Sequence, residues 1–436
     1  MSTKPSQDAN RRQFLQTSGA LAAGAVAASA ALSITQSAYA AGNDQLKVGL
    51  IGCGGRGTGA ASQALRADKN VKLHAVGDAF EDRLETSLKK LGQLEDVAPK
   101  LDVPPERRFV GFDAYQQVID SGVDVVLLAT PPHFRPMHIE AAIAAGKHIF
   151  AEKPTAVDAE GVRRVLKSVQ DAKAKNLSLV AGLCLRNSYG FREAIDRVHQ
   201  GEAGDIHTLH ANDYRGTIWL RPRQPDWTDM HWQMRNWYYF TWLSGDFNVE
   251  QHVHFLDMCA WTMGDQYPVS AIGMGGREVR KGPEFGNIFD HHSVVYEYAN
   301  GAKLISNTRQ MQGCKNELGA SAVGSKARVD FKERKGGTTI TWPDRKWVYE
   351  GEDNNIYQTE HDEMFAGIRN GTPVNNGEYL AKSTMLAIMG RMATYTGQLV
   401  TWDQAMNSQE VLAPKSYAWG EAPEVNIAVP GITKLV

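Results

Sequence analysis

From residue 46 onward, short apolar runs alternate with stretches in which apolar residues recur every three or four positions. The runs 47–51, 71–76, 123–129, 148–150 and 177–181 read as strands, and the stretches 60–67, 81–91, 137–145 and 159–174 read as helices. Strands that alternate with helices imply a doubly wound parallel sheet, here assigned to residues 44–183. After Arg186 the rhythm changes. A helix over 191–200 is followed by longer alternating strands at 206–214, 269–277, 293–298, 303–308, 327–331 and 338–342. Gly-containing turns separate several of them. The pattern predicts a second, α+β domain over 184–436, built on a largely antiparallel sheet with one face left open for a partner. Helices at 360–369 and 378–396 close it.

The first 40 residues fit neither rhythm. A polar start leads to Arg11-Arg12-Gln13-Phe14-Leu15 and then to an Ala-rich run, and Ala38-Tyr39-Ala40 places small residues where a signal peptidase reads them. The segment resembles a twin-arginine signal peptide, with Asn10 in place of the commoner Ser or Thr. It implies the twin-arginine export machinery as a partner of the precursor and a periplasmic or otherwise exported product. The Ala-rich run, broken by Gly and Ser, is weaker than the roughly 20 strongly apolar residues of a membrane span.

A chain of 436 residues has room for two domains after this leader. Its 47 basic residues against 49 acidic ones exclude the excess positive charge of a nucleic-acid binder and point to a small-molecule partner. The four cysteines, Cys53, Cys184, Cys259 and Cys314, are too widely spaced for a zinc knuckle or a dense disulfide framework.

Gly52-Cys53-Gly54-Gly55-Arg56-Gly57 is a G-x-G-x-x-G motif between an apolar strand and a helical pattern. In that setting Gly52 permits the tight turn and Gly54 lets the backbone approach a pyrophosphate. Gly57 lets the helix pack closely with its first amides toward the phosphates. The second strand ends at Asp78, 21 residues after Gly57, where a carboxylate can accept both adenosine ribose hydroxyls and repel a 2′-phosphate. Ala79 and Phe80 follow it, so NAD is expected over NADP, with Arg83 near enough in sequence to matter.

Further along come Ala129-Thr130-Pro131-Pro132, Ala145-Gly146-Lys147-His148 and Glu152-Lys153-Pro154. With Cys184-Leu185-Arg186-Asn187 and Gly201-Glu202-Ala203-Gly204-Asp205-Ile206, they resemble the Gfo/Idh/MocA family of glucose-fructose oxidoreductase and inositol dehydrogenase. The similarity spans about residues 46–398. It implies that Thr130 and Pro131 pass beneath the nicotinamide half of the cofactor, that Glu152 and Lys153 lie at the active site, and that the bond before Pro154 can be cis. It also implies a histidine from a D-x-x-x-H-x-x-D helix. His254 stands in that place, with Glu250 where the family usually has aspartate and Asp257 three residues on. At i and i+4, Glu250 and His254 share a helix face.

Hydride transfer from an alcohol carbon needs a base for the hydroxyl proton and positive charge to favour an alkoxide-like transition state. Lys153 and His254 supply both, with Glu250 as a third catalytic candidate. A metal site from His252, His254 and Glu250 is not expected, because positions two apart do not share a helix face. His291 and His292 carry no role. The stretch 214–243 holds Trp219, Trp227, Trp232, Trp237 and Trp242, whose faces either stack on sugar rings or bury an interface. Asp213, Arg235, Trp237, Arg186 and Asn187 are the candidate substrate contacts.

The reading that results is oxidation or reduction of a secondary or anomeric hydroxyl of a sugar or polyol. An exported enzyme would need to hold its cofactor tightly, and the open sheet face implies a homodimer or homotetramer. Two other readings stand beside it. One is an NAD-dependent glycosidase that oxidises transiently and then eliminates; such relatives often lack the E-K-P lysine present here. The other is an inactive cofactor-bound sensor or scaffold, against which the intact Lys153 and His254 argue.

Overall fold

The structure, a computed structural model, describes residues 44–436. The expected export leader, with Arg11, Arg12 and the Ala38-Tyr39-Ala40 site, lies outside them. Six strands form the first sheet: β1 (Leu46–Ile51), β2 (Val71–Asp78), β3 (Arg108–Val110), β4 (Val125–Leu128), β5 (His148–Ala151) and β6 (Leu179–Ala181). All pairings are parallel, in the order β3-β2-β1-β4-β5-β6. Val48, Leu50 and all of β4 are completely buried, as expected of strands covered by helices on both faces. The strand order reverses between β1 and β4, so a crevice opens beyond their carboxyl ends. The helix expected from residue 60 begins at Gly55, because the glycines that form its first turn mask its start in the sequence.

The second sheet has nine strands. They are β7 (Ile206–Arg215), β8 (Ser270–Gly276), β9 (His291–Glu297), β10 (Lys303–Gln310), β11 (Glu317–Gly324), β12 (Arg328–Phe331), β13 (Thr339–Thr341), β14 (Lys346–Val348) and β15 (Val400–Thr401). Their order is β14-β13-β12-β11-β7-β10-β9-β8-β15, antiparallel except where β10 runs parallel to β7 at the centre. The strand β11 was not expected from the sequence: its Gly, Ala and Ser residues give no apolar alternation, yet it lies between β7 and β12. Gly319 within it has φ +153°, and a Cβ there would meet the Phe331 carbonyl oxygen at 2.8 Å. The buried helices Val253–Thr262 and Gly377–Thr396 pack on one face of this sheet. On the other face Ile272 and Met274 of β8 are 51% and 74% exposed, the open face that the alternation implied.

After the last helix the chain runs extended over residues 408–429, back across the first sheet's crevice. The Leu412 amide donates to Asp158 Oδ2 at 3.2 Å, Tyr417 Oη meets His133 Nε2 at 2.8 Å, and the Met230 amide donates to the Gly420 carbonyl at 3.0 Å. Among the described residues no helix is long and apolar enough to cross a membrane.

Candidate active site

A cavity of about 530 Å³ occupies the crevice, with the glycine loop on one side and residues 219–254 on the other. Two glycines of the loop are sterically required. Gly52 holds φ +97°, and a Cβ would lie 2.6 Å from the Ala129 carbonyl carbon. A Cβ on Gly57 would lie 1.9 Å from the Gly52 carbonyl oxygen. Gly54, by contrast, has nothing within 4 Å, an open cradle at the N-terminus of the helix Gly55–Ala67. That helix has no side-chain cap, so its first amides are free to face an anion. The Asp78 carboxylate closes the far end. It accepts from the Cys53 amide at 2.6 Å and the Phe80 amide at 2.9 Å, and burial raises its pKa above the usual carboxylate range despite these donors. The cradle, the free amides and the terminal carboxylate fit a dinucleotide's pyrophosphate and ribose.

At the other end, β5 delivers Glu152 and Lys153, and the Lys153–Pro154 bond is cis. The Lys153 ammonium donates to the Glu250 carbonyl at 2.6 Å and to Glu250 Oε1 at 3.0 Å. Glu152 pairs with Arg56 of the glycine loop, whose Nη2 also reaches Glu360 Oε1 at 2.7 Å. Burial pushes the Glu360 carboxyl well above its usual range, although Arg56 opposes it. The buried Arg135 binds this end together, donating to the carbonyls of Thr130 (2.6 Å) and Pro154. Burial lowers its pKa to about 10.

The shared helix face expected for Glu250 and His254 is not formed. One helical turn, Phe247–Glu250, ends before a second helix starts at Val253. The Glu250 carbonyl, which a continuous helix would give to the His254 amide, accepts the Lys153 ammonium instead. The break still leaves Glu250, Gln251 and His254 on the cavity wall. His254 Nδ1 is buried without a partner. Burial, then the nearby Lys153, Arg215 and Arg56, hold its pKa well below that of a free imidazole, so the ring is neutral. Asp257 does not orient it: both its oxygens bind Arg186, at 2.9 and 2.8 Å, and Oδ1 also accepts from Ser383.

The other candidates divide. Thr130, Pro131, Arg235 and Trp237 line the cavity. Arg186, Asn187 and Asp213 do not. Arg186 is locked between Asp257 and Asp265, Asn187 accepts from Arg192, and Asp213 is buried against Arg215. The aromatic stretch also divides, with Trp219 and Trp237 facing the cavity while Trp242 is buried beneath it. Sequence reasoning missed Arg56, Arg135, Glu360, Gln251 and Arg221, none of which belongs to a spacing that announces its role. It also missed Asp246. This residue holds φ +80° and ties the start of the Glu250 turn to His292 (3.1 Å) and Tyr395 (2.5 Å). Burial would raise its pKa, but His292, Tyr395 and the Phe289 amide hold it below the usual range.

The geometry agrees with two matches to known families. Residues 46–179 match the oxidoreductase family with NAD-binding Rossmann fold, and residues 195–414 match the C-terminal alpha/beta domain of the same Gfo/Idh/MocA family. The chain belongs to this family. As a Gfo/Idh/MocA protein it is similar to an inositol 2-dehydrogenase of Rhizobium meliloti, 28% identical over 61% of this chain and 69% of that one. A myo-inositol 2-dehydrogenase of Thermotoga maritima is 26% identical over 69% and 79% of the respective chains. A glycosyl hydrolase family 109 protein of Shewanella baltica is 29% identical over 45% of this chain and 44% of its own. Among solved structures, a levoglucosan dehydrogenase in complex with NADH and levoglucosan shares the fold at a TM-score of 0.64. It has 19% identity and covers 82% of this chain and 99% of its own.

Proposed function

We propose that this Gfo/Idh/MocA protein is an exported oxidoreductase that removes or returns a hydride at a secondary or anomeric hydroxyl of a sugar or polyol, using NAD. The observation that carries the reading is the convergence on one cavity of the glycine loop, the Lys153–Glu250 pair at 3.0 Å and the neutral His254. When bound, the nicotinamide supplies the hydride acceptor at C4. Lys153 places positive charge where an alkoxide develops, and the neutral His254 takes the hydroxyl proton. Glu250 holds the Lys153 ammonium in place through its carbonyl and its carboxylate. Thr130 and Pro131, fixed by Arg135, support the nicotinamide side, and Asp78 receives the adenosine ribose hydroxyls. Trp219 and Trp237 offer flat faces to a sugar ring. The dehydrogenase relatives support this substrate class.

The extended segment 408–429 supports a cofactor that does not leave. Its Trp419 packs on Phe80 and Phe112, ring centroids 5.2 and 4.6 Å away, and both phenylalanines line the cavity. A retained cofactor suits a product carried out of the cytoplasm by the twin-arginine route into a compartment poor in free NAD. The open face with Ile272 and Met274 is the surface on which a homodimer or homotetramer would form. The test is native mass spectrometry of exported protein, followed by a panel of sugars, polyols and glycosides with the reduced-nicotinamide absorbance and the release of any aglycone recorded. Bound dinucleotide that is reduced by a member of the panel supports the reading. Release of an aglycone with no net reduction would replace it by the glycosidase reading, which the Shewanella baltica relative favours.

A further inference from the structure

Along β7 the side chains alternate between the two faces of the second sheet, and Leu209, Ala211 and Asp213 are buried on one of them. Arg215, two residues beyond Asp213, ends the strand on that same face with its side chain 27% exposed. Asp213 Oδ1 accepts from Arg215 Nε, while its Oδ2 lies 4.0 Å from His252 Nδ1. The other donors of the guanidinium fork, on Nη1 and Nη2, have no hydrogen-bond partner among the described residues. No further carboxylate takes them. Glu250 is held by Lys153, and Glu333, between β12 and β13, feels the charge of Arg215 but forms no salt bridge with it among the described residues. Arg215 nevertheless acts on the reacting end, for its charge reaches both Glu250 and His254 on the cavity wall. It comes from the second sheet, whereas the cradle that fits a pyrophosphate belongs to the first.

We infer that the free edge of Arg215 recognises a carboxylate on the substrate, so that the compound oxidised at this site is a sugar acid, a hexuronate or an aldonate. The inference rests on the oxidoreductase reading and names its substrate class. Nη1 and Nη2 present parallel N–H groups that match the two oxygens of a carboxylate, and both bonds are charge-assisted. Asp213, holding Nε, fixes the plane of the fork. The carboxylate stays unchanged in the reaction, in which the alcohol carbon gives its hydride to NAD and the hydroxyl its proton to His254. It also helps that proton leave. The charges that act on His254 are Lys153, Arg215 and Arg56, all positive and all opposed to its protonation. An anion on Arg215 offsets one of them and makes the ring a better base while the sugar acid is bound.

The experiment takes the full mature chain loaded with NAD and compares hexuronates and aldonates with their own amides and with neutral aldoses and polyols, each far below saturation. An acid and its amide carry the same hydroxyls and differ in charge. At least one acid is expected to reduce the bound nicotinamide roughly 10-fold or more faster than its amide. Arg215→Lys, which keeps a charge beside Asp213 and loses the fork, should give up part of that ratio. Arg215→Gln, which can still donate to Asp213, should give up nearly all of it. The wild-type comparison decides alone should a variant fail to fold. A neutral sugar, polyol or amide that works as fast as the best acid, or a ratio that survives both substitutions, overturns the assignment of Arg215 while the oxidoreductase reading stands. If no compound, charged or neutral, reduces folded and NAD-loaded protein, the oxidoreductase reading fails and this inference with it.

Discussion

Replacing Glu250 tests how the site holds its lysine. Lys153 and Glu250 are 10% and 12% exposed in their side chains and 3.0 Å apart. Two unit charges at that distance attract by about 5–6 kcal/mol at an effective dielectric near 20, but removing each from water costs several kcal/mol, so the net worth of the pair is far smaller. Glu250→Gln keeps an oxygen acceptor and leaves the backbone contact at 2.6 Å untouched. It exchanges a charged hydrogen bond for a neutral one, a loss of about 1–2 kcal/mol. Glu250→Ala removes the side-chain partner and approaches the roughly 3–5 kcal/mol of a broken buried pair. Urea unfolding of the two variants should rank them wild type, Gln, Ala. Sugar-dependent turnover should fall in the same order with NAD affinity nearly unchanged. If alanine were as stable and as active as wild type, Lys153 would not depend on Glu250 and its assigned role would fail.

Other outcomes follow from the same geometry. Gly57→Ala places a Cβ 1.9 Å from the Gly52 carbonyl oxygen and should abolish dinucleotide binding with a loss of thermal stability. Gly54→Ala meets nothing within 4 Å and should keep the melting temperature while weakening NAD in a binding titration. Burial lowers the His148 pKa to about 4, so below pH 6.5 the unfolded chain takes up a proton that the fold refuses, and stability falls with pH. The deficit of His148→Asn relative to wild type should therefore shrink by roughly 2 kcal/mol between pH 7 and pH 5 in denaturation experiments. An unchanged deficit would contradict a buried neutral ring. Trp419→Ala should speed cofactor loss in a dialysis or dilution assay without changing the fold seen by circular dichroism, and unaltered retention would mean that the extended segment 408–429 does not hold the cofactor.

The first sheet and its glycine loop were legible because their signals are local. Continuous apolar strands, a fixed glycine spacing and an acidic residue at a strand end all sit within a short stretch of chain. The Lys153 and His254 assignments came from a family resemblance, and their placement on one cavity required contacts between residues about 100 positions apart. What stayed hidden depends on tertiary partners. Residues 250–254 looked like one helix because a sequence pattern cannot show that Lys153 takes the carbonyl on which the helix would have continued. Arg186 looked like a ligand contact because a junction arginine does not reveal that Asp257 and Asp265 enclose it.

The most direct test of the account compares four proteins, wild type, Lys153→Ala, His254→Ala and the double variant, by the rate at which a sugar reduces the bound nicotinamide. If the lysine and the histidine serve one proton-handling site, each single substitution should lower that rate by at least roughly 100-fold with cofactor still bound. The double variant should then lose less than the product of the two single losses. Losses that multiply, or near-normal reduction in either single variant, would contradict a shared Lys153–His254 site.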